Sequence, residues 1–552
     1  MKSCLRYFRV PAGAVAVLAI NLAVGSFALG NVAGATPTAH GHRGGIFTTA
    51  IATNPPNLNH DLTTSLGSAM VERMCENQLF EENGKEEIVP SLATGFKLSQ
   101  TGLTYTINLR HGVKWQDGVP FTSKDVVFTL VTVLKVSATI AQTLVKVVTS
   151  VKAAGTYTVD VHLKQRFAPF IVLLAGTIYV LPKHLYGNQT PLKANTANDH
   201  PVGTGPYIMK QWIPDQKIVL VRNPHYWGAT KSQPRPWFNE VVVQILTSPQ
   251  TIFDGLLNGS LDYVATSFLP FTSIKQVMHS SCCRAVAIHG TPSFDIMYTN
   301  TASPPFNNAT VRKAVYMAIT RKLLIQDALG GFGALPYAAI PPTYAKLYTP
   351  KINLMKQYPF NPTKAAKMLD DAGYPVKNGE RFGKSITLKY STSTGTFAAD
   401  TARFFKAALA KLTINVSLVS EDLTSWATQT YVKKSFTLSF IGLTSSNDPA
   451  LGGIKGVFAC QPTPTSEYTN ASGYCNKTVT KYFNQAVTAT STAGRQKAYA
   501  KAFKIVDKAL PSYELGWRKT YVGVSKKVQN WKVSLLQWGG SFQTTWSQSW
   551  FK

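Results

Sequence analysis

Residues 200–227 read HPVGTGPYIMKQWIPDQKIVLVRNPHYW, and the fold turns on what residues 201–208 of that stretch do. Two glycines around a threonine, Gly203-Thr204-Gly205, suggest a loop that cradles phosphate. Such loops converge backbone N–H groups on an anion at a helix N-terminus, usually with a Lys-Ser/Thr pair directly after. Pro206 follows Gly205 and has no N–H to offer. Residues 207–223 then alternate apolar and polar like two strands joined by a turn, so no helix start faces an anion. The stretch reads as a tight turn entering a sheet.

Upstream, residues 103–134 (LTYTINLRHGVKWQDGVPFTSKDVVFTLVTVL) continue the pattern. Tyr105, Ile107 and Leu109 alternate as a strand, and Asp117-Gly118 makes a turn. Thr122, three residues ahead of Asp125, opens a helix with a capping-box arrangement. Downstream, TPSFDIMYTN (residues 291–300) reads as a buried strand, after which helical spacing dominates. Val311, Val315, Ala318 and Ile319 share one helix face, and Asn361-Pro362 starts a further helix. Strand patterns return at residues 385–392, 414–420 and 436–443, with a helix around residues 398–412, and the tail from residue 521 is strand-like. This alternation is that of an α/β protein.

The chain has 552 residues, 45% of them apolar, which is more than one core normally supports, so two or three domains are expected. Lys and Arg number 56 against 27 Asp and Glu, a net charge of +29, yet only 15% of residues are charged. The excess therefore reflects scarce acids more than runs of bases, and no zinc-finger, RNP or zipper spacing occurs, which argues against a nucleic-acid binder. Two readings of the charge stand side by side. An acidic exterior would favour few carboxylates, because acid unfolding comes largely from protonating them. Alternatively, the basic surface faces anionic envelope polymers or lipid headgroups.

The N-terminus carries Lys2, Arg6 and Arg9, then an uncharged run over residues 10–29 that ends in small residues with Ala33 and Ala35 in an A-x-A arrangement. Residues 1–35 read as an export signal or an uncleaved N-terminal anchor, and residues 36–45 as a flexible linker. Cys4 precedes the apolar run, which argues against a diacylglycerol anchor. Of the remaining cysteines, Cys460 and Cys475 bracket a polar loop, and an exported chain permits their disulfide. Cys75, Cys282 and Cys283 have no assigned pairing. There is no C-x-x-C and the ten histidines are scattered, so no metal site and no cofactor are expected. GERFGKS (residues 379–385) has three residues between its glycines where a P-loop needs four, and it runs into a strand. Serine-hydrolase and zinc-peptidase signatures are missing, so the chain is not read as an enzyme.

Four stretches, at residues 88–130, 200–227, 294–331 and 361–374, together resemble the family 5 extracellular solute-binding proteins, the oligopeptide-, dipeptide- and nickel-type receptors of ABC importers. The resemblance implies a two-lobed periplasmic-binding-protein type II fold with an extra subdomain inserted in the first lobe. Lobe I would take residues 46–75, 190–300 and 515–552, the inserted subdomain 76–189 and lobe II 301–514. It also implies a monomer outside the cytoplasmic membrane that captures a peptide or other small solute and passes it to permease subunits. An envelope-associated binding protein and a hydrolase on the same scaffold are the alternatives.

Peptide receptors of this family often carry an Asp ahead of an x-x-Asp-Pro run, where it pairs with the peptide's α-ammonium. Here Asp448-Pro449 is retained and Ser445 stands where that Asp would be, which argues against a free peptide N-terminus as the group recognised. The expected cleft walls are Leu443, Thr444, Ser445 and Ser446 on one side, with Tyr298 and Asn300 near the crossing strand. The turn of residues 53–59, with Asn54, is a further expected wall.

Overall fold

Period-two alternation builds the sheets. In the computed structural model, which describes residues 42–552 apart from 64, 83–86, 138–139, 188–191, 231–234, 289–292, 339–346, 348–352, 392–395, 445–447, 452–453, 461–469 and 532–548, the chain begins its first sheet with β1 (Ile46–Ile51). It next forms a short antiparallel pair, β2 (Phe80–Glu82) and β3 (Ile88–Pro90). Four strands follow: β4 (Ala93–Leu98), β5 (Thr104–Leu109), β6 (Val148–Gly155) and β7 (Thr158–Leu163). They make an antiparallel sheet in the order β4-β5-β7-β6. Tyr105, Ile107 and Leu109 of β5 and Val159, Val161 and Leu163 of β7 fill its core with Trp115 and Phe170.

The chain then returns to the first sheet with β8 (Tyr207–Ile213), β9 (Lys217–Arg222), β10 (Glu240–Ile245), β11 (Tyr263–Val264) and β12 (Cys283–Ile288). A second sheet collects β13 (Ser293–Thr299), β14 (Gly333–Ala334), β15 (Ile386–Ser391), β16 (Val416–Glu421), β17 (Leu438–Thr444) and β18 (Ser512–Arg518). With β19 (Thr520–Ser525) the first sheet is complete in the order β12-β19-β11-β1-β10-β9-β8, against β14-β18-β13-β17-β15-β16 for the second. A last pair, β20 (Val528–Gln529) and β21 (Trp550–Phe551), lies beside it in sequence.

The chain passes between the large sheets from β12 to β13 and from β18 to β19. The expected changeovers at residues 300 and 515 fall later and earlier than these points. β13 pairs with β17 and β18, so residues 293–299 belong to the second sheet, and so does the end of β18. The textural change near residue 300 marks where strand gives way to helix, which is a different event from the change of sheet. β13 is buried on both faces, with Ile296 and Tyr298 in one core and Met297 in another.

Helix ends follow the side chains that cap them. Thr122 and Asp125 form the full capping box of the helix Ser123–Phe128. The run then widens into a π-helical turn, Thr129–Val133, before Leu134–Val136, so it is not one uniform α-helix. Asn361 accepts from the Lys364 N–H at the start of Pro362–Asp371. The helical stretch after residue 308 divides into Ala309–Met317 and Arg321–Ala328.

The turn that opened the sequence reading joins three elements. A Cβ on Gly203 would lie 1.9 Å from the Cys75 carbonyl oxygen, and one on Gly205 would lie 2.5 Å from the Cys75 carbonyl carbon. Only glycine lets this turn press against the end of the helix Leu66–Cys75. The Gly205 N–H donates to Cys75 O at 2.8 Å. Gln116, from the four-stranded subdomain, donates from Nε2 to Tyr207 O at 2.7 Å and to Cys75 O at 3.1 Å, while its Oε1 accepts from the Gly203 N–H at 3.1 Å. Residues 207–222 form the antiparallel hairpin β8–β9, with Asp215 at positive φ in its turn.

Candidate functional site

Strand direction places the site. In the first sheet β1, β10 and β11 run parallel, and the register sets Ile51 beside Ile245. Their carboxyl ends lie where β12 finishes and β19 begins, at the pair Ile288–Thr520. In the second sheet β15, β16 and β17 run parallel, and the ends of β15 and β17 lie where β13 starts and β18 finishes. Both sets of carboxyl ends therefore sit at the two chain crossings. In α/β sheets the space beyond the carboxyl ends of parallel strands is where ligands bind.

On the first-sheet side, the segment after β1 includes Asn54. Its Oδ1 accepts from Trp212 Nε1 and from the Asp215 N–H, both at 3.2 Å, so the side chain ties this segment to the tip of the β8–β9 hairpin. Behind the segment, His60, Asp61, Glu72 and Glu76 are all buried. Glu72 Oε1 accepts from the His60 N–H at 3.1 Å. Burial pushes the Asp61, Glu72 and Glu76 carboxyls up, and for Glu72 the neighbouring carboxyls add to it. Burial, helped by Arg73, pushes the His60 imidazole down to about 3. Among the described residues no group of three or more His, Cys, Asp or Glu side chains could hold a metal ion.

On the second-sheet side, Tyr298 is fully buried, with its hydroxyl 3.4 Å from that of Tyr431. Asn300 Nδ2 donates to Lys434 O and Phe436 O, both at 3.0 Å, and its Oδ1 accepts from the Ala302 N–H. Both side chains are held in the framework of the second sheet. Leu443 and Thr444 end β17, paired with Phe294 and Ser293, and Ser445 and Ser446 lie outside the described residues. Asp448 is 2.7 Å from Arg495 Nη2 and also accepts from the Ala450 N–H at 2.9 Å. The Asp-Pro element thus anchors its loop to the helix Thr492–Ala509.

The sequence reading missed an ion pair at this sheet end. Arg518 Nε, on β18, is 2.8 Å from Asp295 Oδ1, on β13. The guanidinium lies 5.5 Å from the Phe397 ring centroid, and Phe397 meets Phe271 of the first-sheet side at 6.0 Å. A cavity of about 10 Å³, room for one water, opens beside Asp295, Phe397 and Thr401. The signal was available: TPSFDIMYTN carries one charge in an otherwise uncharged, buried-looking strand, and such a charge needs a partner. Elsewhere the four-stranded subdomain meets the second-sheet side where the Ala168 N–H donates to Val487 O at 2.8 Å. Cys460 and Cys475 are joined by a disulfide.

Comparison with known proteins agrees with this architecture. Residues 87–464 match the family described as bacterial extracellular solute-binding proteins, family 5. The chain belongs to this family. Among its relatives, the glutathione-binding protein GsiB of Salmonella choleraesuis is 27% identical over 493 residues, covering 87% of this chain and 90% of GsiB. A putative ABC transporter peptide-binding protein of Brucella ovis is 29% identical over 470 residues, with 83% and 84% covered. Among solved structures, the oligopeptide-binding protein AppA of Bacillus subtilis, in complex with a nonapeptide, superposes with a TM-score of 0.75 at 23% identity, covering 93% of this chain and all of AppA. NikA of Brucella suis, in complex with Fe(III)-EDTA, gives 0.79 at 21% identity, covering 92% and 100%. The family 5 solute-binding fold is a two-lobed periplasmic-binding-protein fold, and in this member the two large sheets are its lobes, with the four-stranded sheet inserted in the first. No helix among the described residues is long and apolar enough to cross a membrane.

Proposed function

We propose that this solute-binding protein captures a peptide-like solute between its two sheets, outside the cytoplasmic membrane, and delivers it to the permease of an ABC importer. The observation that carries the reading is the pair of strand-end arrays that meet at the two chain crossings, an arrangement suited to hinge closure around a solute. The relatives named for glutathione and for peptides support a peptide-like cargo. The basic start and uncharged run of residues 1–35 support export, by a cleaved signal or with an N-terminal anchor retained. The walls of the cleft would be the segment holding Asn54 and the ends of β15 and β17, the latter through Leu443 and Thr444. Ser445, in place of an acid, supports a solute recognised by groups other than a free α-ammonium.

The test is native mass spectrometry of the gently purified protein, followed by thermal-shift measurements with peptides, glycosides and metal chelates. A solute at a hundred times its Kd stabilises the folded form by about 2.7 kcal/mol, which shifts the melting temperature by a few degrees. Stabilisation by a peptide class is expected. A flat response to all three classes, with nothing retained, would contradict the reading.

A further inference from the structure

The Arg518–Asp295 pair does more than hold two strands together. It lies where β18 ends, beside the crossing to β19, at the carboxyl ends of the parallel strands of the second sheet. Asp295 is 3% exposed and Arg518 15%, so what solvent reaches the pair reaches the Arg518 side chain. Nε faces Asp295, whereas the two Nη groups have no hydrogen-bond partner among the described residues. Neither Asp295 oxygen has one, and the 2.8 Å contact with Nε is an ion pair without hydrogen-bond geometry. Room for the fork is provided by Gly442 of β17, where a Cβ would come within 2.6 Å of Arg518 Nη2. The Phe397 ring lies against the guanidinium, which stacks over it.

We propose that Arg518 receives a carboxylate of the captured solute, with Asp295 as the internal counter-ion that orients it while the cleft is empty. This rests on the receptor reading above and adds the chemical class of the cargo: an organic acid, such as a peptide with a free C-terminus. Two parallel N–H···O bonds from the Nη edge to a carboxylate are stronger and more directional than the single contact with Asp295. The internal counter-ion is also weak. Burial pushes the Asp295 carboxyl up to about 7 against the pull of Arg518. Glu514 on β18 faces it as a second buried carboxyl, itself pushed up by burial, by Asp295 and by Asp507. Leu324, Ile325, Ala328, Leu329, Phe397 and Thr401 line the cavity beside Asp295, and Gly442 of β17 lies against the pair. Once Asp295 is neutral, the Arg518 charge calls for another anion.

The experiment offers a casein-derived peptide mixture, and the same mixture with its carboxyls methyl-esterified, to the full chain, and measures the retained species by mass spectrometry at pH 8 and pH 6. The wild type is expected to retain free-acid species at least tenfold over their esters, and more strongly at pH 6, where Asp295 is neutral and peptide carboxylates are still ionised. Arg518→Met should abolish that preference. Asp295→Asn should keep it and remove its dependence on pH; this variant and the wild-type pH response carry the test if Arg518→Met fails to fold. Equal retention of acid and ester, or no rise at pH 6, would overturn the role of Arg518 and leave the receptor reading intact. Retention from neither mixture would contradict the peptide-receptor reading and the inference with it.

Discussion

A methyl group at Gly203 would meet the Cys75 carbonyl oxygen at less than bonding tolerance for any non-covalent contact, and the backbone has little room to yield there. Gly203→Ala is therefore expected to cost about 1–3 kcal/mol, read as a lower midpoint in urea, through overpacking against main chain. A wild-type midpoint would mean that the turn can slide off the helix end. The sequence showed that these glycines were no phosphate loop, because Pro206 is a local fact. It could not show what they pack against, because Cys75 is remote in sequence. The same limit separates Asp448 from Arg495. The Asp-Pro pair was legible as a motif, but its partner lies 47 residues on. Arg495→Met should destabilise by about 3–5 kcal/mol, since it removes the guanidinium that faces the buried Asp448 carboxylate. Tyr298 and Asn300 follow the same logic: residue types typical of binding sites, whose side chains are taken up by Tyr431 and by the backbone of residues 434–436.

Among the elements, those specified by neighbours in sequence were readable. The capping box at Thr122 and the cap at Asn361 stand as read, and Thr122→Ala should lower stability by about 1 kcal/mol in equilibrium unfolding. The π-helical turn at Thr129–Val133 was not readable, because the apolar pattern of that stretch suits a plain helix equally well. Assignment of β13 to a sheet failed for a different reason. Pairing partners of a strand buried on both faces lie far away in sequence, here at β17 and β18, and nothing local names them. The disulfide between Cys460 and Cys475 closes a short loop. Its reduction should lower stability by about 3 kcal/mol on the chain-entropy account, measurable as a shift in denaturant midpoint with and without reductant.

For the whole molecule, scarce acids and buried acids meet in one consequence. Burial raises the Asp61, Glu72, Glu76, Asp295 and Glu514 carboxyls above their unfolded values. A group shifted this way contributes stability that is full below the unfolded value of about 4 and is lost as pH rises through the folded one, about 7 for Asp295. His60, lowered to about 3, works in the opposite direction and loses its contribution as pH falls from about 6.5. The carboxyls outnumber it, so the melting temperature should hold or rise from pH 7.5 to pH 5. A steady fall over that range would contradict the link between composition and an acidic exterior. Where the solute sits is read out by hydrogen–deuterium exchange with and without bound peptide. Protection is expected to concentrate in the segment after β1 and at the ends of β15, β17 and β18. Protection confined to the four-stranded subdomain, with those strand ends unchanged, would contradict it.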